Sequence, residues 1–149
     1  MDIKDCLKIK GKFKLILRDE FGNIKEQREV ENLITTAGKA ALATWLAQAT
    51  QAAYFMPYMA VGTGTTPAAV TDTQLETEGC TRIASTITNS TNTFIHTATF
   101  PAGNGTGALT EVGILSASSS GTLFSHSIFS VINKGASDGL EIIYTFTIS

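Results

Sequence analysis

The residues that could carry out chemistry are few and lie far apart in the chain. The sequence has two histidines, His96 and His126, and two cysteines, Cys6 and Cys80. Both histidines lie in alternating segments predicted to be strands, and no G-x-S-x-G motif or other nucleophile–base pattern accompanies them. A zinc site of two His and two Cys is conceivable, but these spacings match no usual ligand pattern. We therefore predict no catalytic residues, no metal and no enzymatic activity.

The stretch VGTGTTP at residues 61–67 resembles a phosphate-binding loop at first sight. A Walker loop needs Lys and then Ser or Thr after its last glycine, whereas Thr65, Thr66 and Pro67 follow here. A dinucleotide-binding loop needs a third glycine and a βαβ setting, and neither is present. We therefore predict no nucleotide or other cofactor, and expect Gly62 and Gly64 to let a strand end turn sharply.

The acidic residues of the second half raise two questions. Asp72, Glu76 and Glu78 lie in one Thr-rich stretch that could hold calcium but lacks the spacing of a calcium loop, which favours a solvated loop. Glu111 lies inside an apolar segment and needs a partner if it is buried. Arg82 is the only arginine after residue 40, so we hypothesise a Glu111–Arg82 pair.

The charge is unevenly spread along the chain, whose net charge is −2. Basic residues crowd the first 18 positions, while from residue 40 onward two basic residues face six acids. This pattern predicts a basic N-terminal arm that contacts an acidic partner, or alternatively the solvent face of a strand whose lysines guard a sheet edge. A truncation lacking residues 1–18 is then expected to fold but to lose binding. The candidate partner-contact residues are Lys8, Lys10, Lys12, Lys14 and Arg18.

Several classes of partner and location are not favoured by the sequence. It has no recognisable nucleic-acid-binding module and no apolar run long enough to span a membrane, so we predict neither partner. The charged N-terminal segment does not read as a secretion signal, which predicts a protein made in the cytoplasm with reduced thiols. A disulfide through Cys6 or Cys80 remains open.

The length of 149 residues and the 43% hydrophobic content predict a single domain, residues 1–149. Residues 1–31 are predicted to form the basic arm, with a hairpin at 10–31 that turns at DEFGN, and residues 32–149 the body. One helix is predicted near 37–48, capped by Thr36 and with an apolar stripe at Leu42, Trp45, Leu46 and Ala49. Leu33 and Trp45 are assigned to the core.

The rest of the body has the pattern of strands separated by turns. Residues 55–62 form a short apolar strand, and TRIASTIT pairs with TFIHTATF as a hairpin. ALTEVGILSA, TLFSHSIFSV and LEIIYTFTIS follow, and the last presents one apolar face: Leu140, Ile142, Tyr144, Phe146 and Ile148. About eight strands and one helix predict a mainly β fold, an antiparallel β-sandwich or jelly-roll-like domain with an N-terminal hairpin arm.

Several segments, in order, resemble small structural proteins of tailed bacteriophages. They are ENLITTAGKAALATWLA, AVGTGTTPAAVTDTQLETE, TFPAGNGTGALTEVGIL and GTLFSHSIFSVINKGASDGLEIIYTFTIS. The ordered set covers residues 30–149, and no single motif in it is diagnostic. The resemblance implies a non-enzymatic β-sandwich of the virion, usually a homotrimer.

The resemblance leaves the position in the virion open. A head decoration, or cement, protein would bind the major capsid protein on the outer capsid surface and stabilise the shell. A tail-fibre or baseplate-associated protein, which could bind a receptor, is the alternative. Exposed Thr, Ser, Asn and Gly at 86–93 and 102–108 could bind sugars, although these loops lack aromatic residues. Small size and the lack of a long fibrous extension favour decoration.

Overall fold

The computed structural model describes residues 8–48 and 55–149. Within these ranges the chain forms an antiparallel β-sandwich of two five-stranded sheets with one helix, as the sequence predicts. Sheet A has the order β2-β1-β10-β7-β6, with β1 at Ile9–Arg18, β2 at Ile24–Glu31, β6 at Thr86–Ser90, β7 at Thr93–Phe100 and β10 at Gly139–Ile148. Sheet B has the order β3-β9-β8-β4-β5, with β3 at Leu33–Ile34, β4 at Tyr58–Gly62, β5 at Ile83–Ala84, β8 at Gly107–Leu115 and β9 at Leu123–Lys134.

The core lies between the two sheets and follows from the alternation of apolar residues. The predicted apolar face of the last strand is confirmed: its side chains are buried except for Ile148, which is half-buried. On the neighbouring strand β1, Phe13, Leu15 and Leu17 are buried, and the Phe13 ring lies 4.6 Å from that of Tyr144. Sheet B supplies the facing apolar side chains Val112, Ile114 and Ile132, among others.

The predicted N-terminal hairpin is present, but it is not a separate arm. Asp19 organises its turn by accepting hydrogen bonds from the backbone N–H groups of Phe21 and Asn23, and Gly22 takes the positive φ of 85°. Strand β1 lies between β2 and β10 and pairs with β10 along its whole length. Deleting residues 1–18 would remove an interior strand, so the structure gives a reason to expect that the truncated protein does not fold.

The helix found in the described residues, α1, runs from Thr36 to Leu46 and so begins at the residue that was expected to cap it. Thr35 is the N-cap: its hydroxyl oxygen accepts a hydrogen bond from the N–H of Gly38 at 2.9 Å. The predicted apolar stripe is only partly correct, because Leu42 packs against the core whereas Leu46 is exposed. Ala49 lies outside the described residues.

Two predicted core residues lie at the margin of the core instead. Trp45 is half-buried, and its ring lies 5.6 Å from that of Phe55. Leu33 is also half-buried, because β3 is a two-residue strand at the edge of sheet B.

The segment TRIASTIT divides between the two sheets, which the sequence pattern did not predict. Ile83–Ala84 pairs with β4 in sheet B, and Thr86–Ser90 pairs with β7 in sheet A. The predicted hairpin with TFIHTATF is confirmed for β6 and β7, and Thr91 in its turn has a positive φ of 54°.

Residues 63–82 form a long loop without a helix or strand of its own, which we call the covering loop. It packs on the face of sheet B that points away from sheet A. Leu75 from the loop joins Ala60, Leu115 and Leu123 in a small apolar cluster separate from the main core. Loops of this length inside a compact domain are uncommon, so specific contacts must hold it in place.

Candidate functional site

Glu111 lies at the centre of a buried polar network beneath the covering loop. Its side chain is 0% exposed, on strand β8. Its Oε1 accepts hydrogen bonds from the N–H groups of Gly64 at 3.0 Å and Thr77 at 2.7 Å, and its Oε2 accepts one from Glu76 N–H at 3.0 Å. These three donors belong to the covering loop, so the carboxylate fixes both ends of the loop to the sheet.

His126 joins Glu111 to a second carboxylate. Its Nε2 lies 2.9 Å from Glu111 Oε2, and its Nδ1 lies 2.7 Å from Asp72 Oδ2. A neutral imidazole has one N–H, whereas the protonated ring donates from both nitrogens, so this geometry suits an imidazolium between two carboxylates. Burial raises the pKa of Asp72. The hydrogen bonds from the N–H of Ala69 and the His126 ring lower it by more, so the net pKa lies below its usual value.

The two glycines of VGTGTTP are explained by this network. A Cβ on Gly64 would lie 2.7 Å from Glu111 Oε1, and one on Gly62 would lie 2.5 Å from the same oxygen and against the carbonyl oxygen of Thr77. The loop therefore binds a carboxylate, as phosphate-binding loops bind anions, but the anion is a side chain of the same protein. Gly62 and Gly64 were expected to let the strand end turn sharply. The structure gives a different reason for them, which is the close approach of the backbone to Glu111.

The hypothesised Glu111–Arg82 pair is wrong. Arg82 binds Glu78 with two hydrogen bonds, of 2.7 and 2.9 Å, and donates to the carbonyl oxygens of Ala117 and Ser120. This bidentate contact raises the pKa of Arg82. Arg82 thus joins the end of the covering loop to the turn between β8 and β9.

The acidic residues of the covering loop contact protein groups. Glu76 accepts hydrogen bonds from the N–H and the hydroxyl of Thr66, and the N–H bond lowers its pKa. Asp72 and Glu78 are engaged by His126 and Arg82. Among residues 8–48 and 55–149, no cluster of three or more His, Cys, Asp or Glu side chains has a metal-binding arrangement.

The remaining candidate zinc ligands lie in different places. His96 is buried on sheet A beside Tyr144, its Nδ1 has no hydrogen-bond partner among the residues that the structure describes, and burial lowers its pKa to about 4. Cys80 carries a free thiol whose sulfur accepts a hydrogen bond from Val61 N–H, and burial raises its pKa to about 11. Cys6 lies outside the described residues.

Four of the predicted partner-contact residues lie along β1, Lys8 comes directly before it, and they differ in their surroundings. Lys12 forms an ion pair with Glu29 at 2.8 Å, and Arg18 lies 3.9 Å from Glu141 on the next strand. Lys10 is exposed and Lys14 half-exposed, and neither has a carboxylate within ion-pair distance in the described part of the chain. Lys8, also exposed, continues the pairing with β10 through Ser149.

A groove is lined by part of this basic strand and by residues of other elements. It has a volume of about 1010 Å³ and is lined by Lys10, Lys12 and Lys14 from β1, and by Lys39 and Leu42 from α1. The sequence pattern identified the lysines of β1 as candidate partner-contact residues. It did not indicate that α1 lies beside them.

The comparisons with known proteins do not assign a family: no protein-family model, curated protein or solved structure matches this chain. Within the described residues, no helix is long and apolar enough to cross a membrane.

Proposed function

We propose that this protein is a non-enzymatic structural protein of a tailed-bacteriophage virion, a capsid decoration protein that binds the outer head surface and stabilises the shell. The ordered segments over residues 30–149 resemble such proteins. A decoration protein needs a rigid body and a surface complementary to the major capsid protein, and multiple attachment makes modest contacts effective.

The non-enzymatic part of the proposal rests on the contacts that Glu111, His126 and Asp72 make within the protein. A catalytic base must reach a substrate, yet the side chain of His126 is 3% exposed and both ring nitrogens contact carboxylates. Glu111 accepts hydrogen bonds on both oxygens from the covering loop. These groups hold the loop in one conformation, which suits a protein whose task is to present a fixed surface.

The surface of the protein supports a role in assembly. Lysines of β1 that have no carboxylate partner among the described residues line the groove, where they can contact an acidic protein surface. The proposed assembly is a homotrimer on the capsid, which would stabilise the shell because the bound subunits favour its assembled state.

A tail-fibre or baseplate-associated protein is the second candidate. The observation that favours it is the polar edge strand β6, whose Thr86, Thr88, Asn89 and Ser90 are exposed and carry no charge. Such a strand could contact a receptor or a neighbouring tail protein by pairing along its edge.

Immunogold electron microscopy on intact particles of the phage that encodes the protein tests the proposal. We expect label distributed over the heads, and pre-immune serum serves as the control. Label confined to the tail end would overturn the decoration function in favour of the second candidate. Particles without label, when the antibody detects the purified protein, would contradict a virion protein of either kind.

Sedimentation analysis of the purified protein tests the proposed trimer. A mass three times that of the 15.8-kDa chain is expected. A monomer at all accessible concentrations would contradict the homotrimer.

A further inference from the structure

Strand β1 has an edge at its beginning that no other described strand covers. It pairs with β10 from Ile9 onward, but β2 pairs with it only from Lys12 onward. Lys8 exchanges both backbone hydrogen bonds with Ser149, so the N–H and C=O of the next residue, Ile9, point away from β10. The Gly11 carbonyl on the same side accepts a hydrogen bond from Asn32 N–H, which leaves Ile9 as the open position among residues 8–48 and 55–149.

The groove described above runs beside this open edge, and its floor is apolar. Ile9, Ile34 and Leu42 line it and also pack against the main core. Val70 of the covering loop lines it as well and is 45% exposed. An extended segment in the groove would cover these side chains and continue sheet A in the direction of β2.

The charges around the groove favour an acidic occupant. Four lysines, Lys10, Lys12, Lys14 and Lys39, line it together with Glu29 and Glu31. Lys12 is paired with Glu29, whereas Lys10, Lys14 and Lys39 have no carboxylate within 4 Å in the described ranges. An acidic segment would pair these three ammonium groups, while the two glutamates and the apolar floor disfavour a nucleic-acid backbone.

We propose that this groove binds an extended, acidic segment of a partner protein, which adds to sheet A beside Ile9. Directly opposed residues of paired strands share one face of the sheet, so the residue opposite Ile9 is apolar and points to the floor. The acidic residues on either side of it point to the face that carries Lys10 and Lys14. The inference deepens the proposed function and rests on it for the source of the partner, a protein of the same particle.

A fluorescent nine-residue peptide that alternates Glu and Val is the probe, and its anisotropy is measured with the full chain. We expect it to bind at least tenfold more tightly than a peptide that alternates Lys and Val, and more weakly at high salt. Equal binding of the two peptides, or no binding of either, would overturn the inference. Tighter binding of a nine-nucleotide single-stranded DNA than of the acidic peptide would do the same.

Two double variants with equal changes in net charge locate the site. Lys10→Ser with Lys14→Ser removes two cations from the groove, and we expect it to weaken binding of the acidic peptide about tenfold. Ser118→Glu with Ser119→Glu adds two anions at an exposed turn outside the groove and serves as the control. Equal losses in the two variants would indicate an effect of net charge alone and would contradict the groove.

Backbone methylation of the peptide tests strand addition without changing the protein. Methylating the Val nitrogens removes the N–H groups that face Ile9, so binding should be lost. Methylating the Glu nitrogens alters the opposite edge, so binding should be kept. The reverse pattern, or equal losses, would overturn antiparallel pairing beside Ile9, the arrangement in which the Val N–H groups face it.

Peptide binding and immunogold labelling together separate the groove inference from the proposed virion function. Peptide binding without label on particles would keep the groove inference and reject the virion function. Label on the heads with no peptide binding would do the opposite.

Discussion

The Nε2 atom of His126 lies 2.9 Å from Oε2 of Glu111, in a place where the carboxylate is fully buried. Strands β8 and β9 bring these two residues together, and both then contact the covering loop. The position of a 20-residue loop thus depends on one buried charge network.

Replacing Glu111 by Gln should destabilise the protein strongly. The change keeps the size of the side chain but removes the negative charge that three N–H groups and His126 contact. Breaking a buried ion pair on one side costs about 3–5 kcal/mol, and we expect a loss of at least about 3 kcal/mol in the free energy of unfolding. Urea unfolding at pH 7 measures it.

Glu141→Gln is the matched control for this variant. Glu141 lies on sheet A, a third exposed, and 3.9 Å from Arg18. Exposed pairs contribute at most about 1 kcal/mol, so this change should matter little. Similar losses for Glu111→Gln and Glu141→Gln would contradict the role given to the buried network.

Gly64→Ala should destabilise the covering loop by steric contact with Glu111. The new Cβ would lie 2.7 Å from Glu111 Oε1 and 2.6 Å from the Cβ of Glu76. Forcing extra atoms into a packed site costs about 1–3 kcal/mol. Thermal unfolding followed by circular dichroism should show a lower Tm, together with faster proteolysis in the loop.

Gly79→Ala provides the comparison within the same loop. A Cβ there meets no atom within 4 Å, and Gly79 does not have a positive φ. We expect a Tm unchanged or slightly raised, because alanine reduces the freedom of the unfolded chain. If Gly64→Ala is as stable as Gly79→Ala, close packing against Glu111 is not the reason for the glycine.

The Lys25–Asp138 ion pair should contribute stability between two pH limits. The hydrogen bond from Lys25, at 2.8 Å, and the N–H of Gly135 lower the pKa of Asp138, and the same hydrogen bond raises the pKa of Lys25. A lowered carboxyl pKa gives stability above about pH 4 that is lost as the pH falls further. A raised lysine pKa gives stability below about pH 10 that is lost as the pH rises through the folded value.

The difference in Tm between the wild type and Asp138→Asn measures this dependence. We expect it to be constant from pH 5 to pH 9, and to shrink at pH 3 and above pH 11. Lys25→Gln should show the same profile, because it removes the other member of the pair. A difference that shrinks at pH 3 but stays constant above pH 11 would show that Asp138 acts through the Gly135 hydrogen bond alone.

The sequence was most informative where side chains alternate regularly. Every second residue of β10 is apolar in the sequence, and the structure buries that face. The β1–β2 hairpin was predicted from the same two-residue alternation. It was least informative where one segment serves two sheets. Ile83–Ala84 and Thr86–Ser90 read as one strand because the crossing between sheets A and B changes neither composition nor period.

The buried network could be predicted only in part. The sequence identified Glu111 as a charge that needs a partner, but the scarcity of arginines led to Arg82. The β8–β9 register decides the partner: Glu111 lies opposite Ile128 and Gly113 opposite His126, so His126 is a diagonal neighbour on the same face. Asp72 could not be predicted, since it comes from a loop that has no period and takes its shape from the network itself.

His96 should make the protein less stable at mildly acidic pH. Its ring is buried beside Tyr144, and burial lowers its pKa from 6.5 to about 4. Between these values the unfolded chain binds a proton that the folded protein does not, so stability falls as the pH drops below about 6.5. From pH 7 to pH 5 this group alone should cost about 2 kcal/mol.

Urea unfolding of the wild type and of His96→Gln at pH 7 and pH 5 tests this. Gln is neutral at both pH values, and the carboxylates titrate alike in both proteins, so the difference between the two isolates His96. The wild type should lose about 2 kcal/mol more than the variant between pH 7 and pH 5. Equal losses would mean that the folded protein admits a proton at His96, and that Nδ1, which has no partner among the described residues, is reached by water.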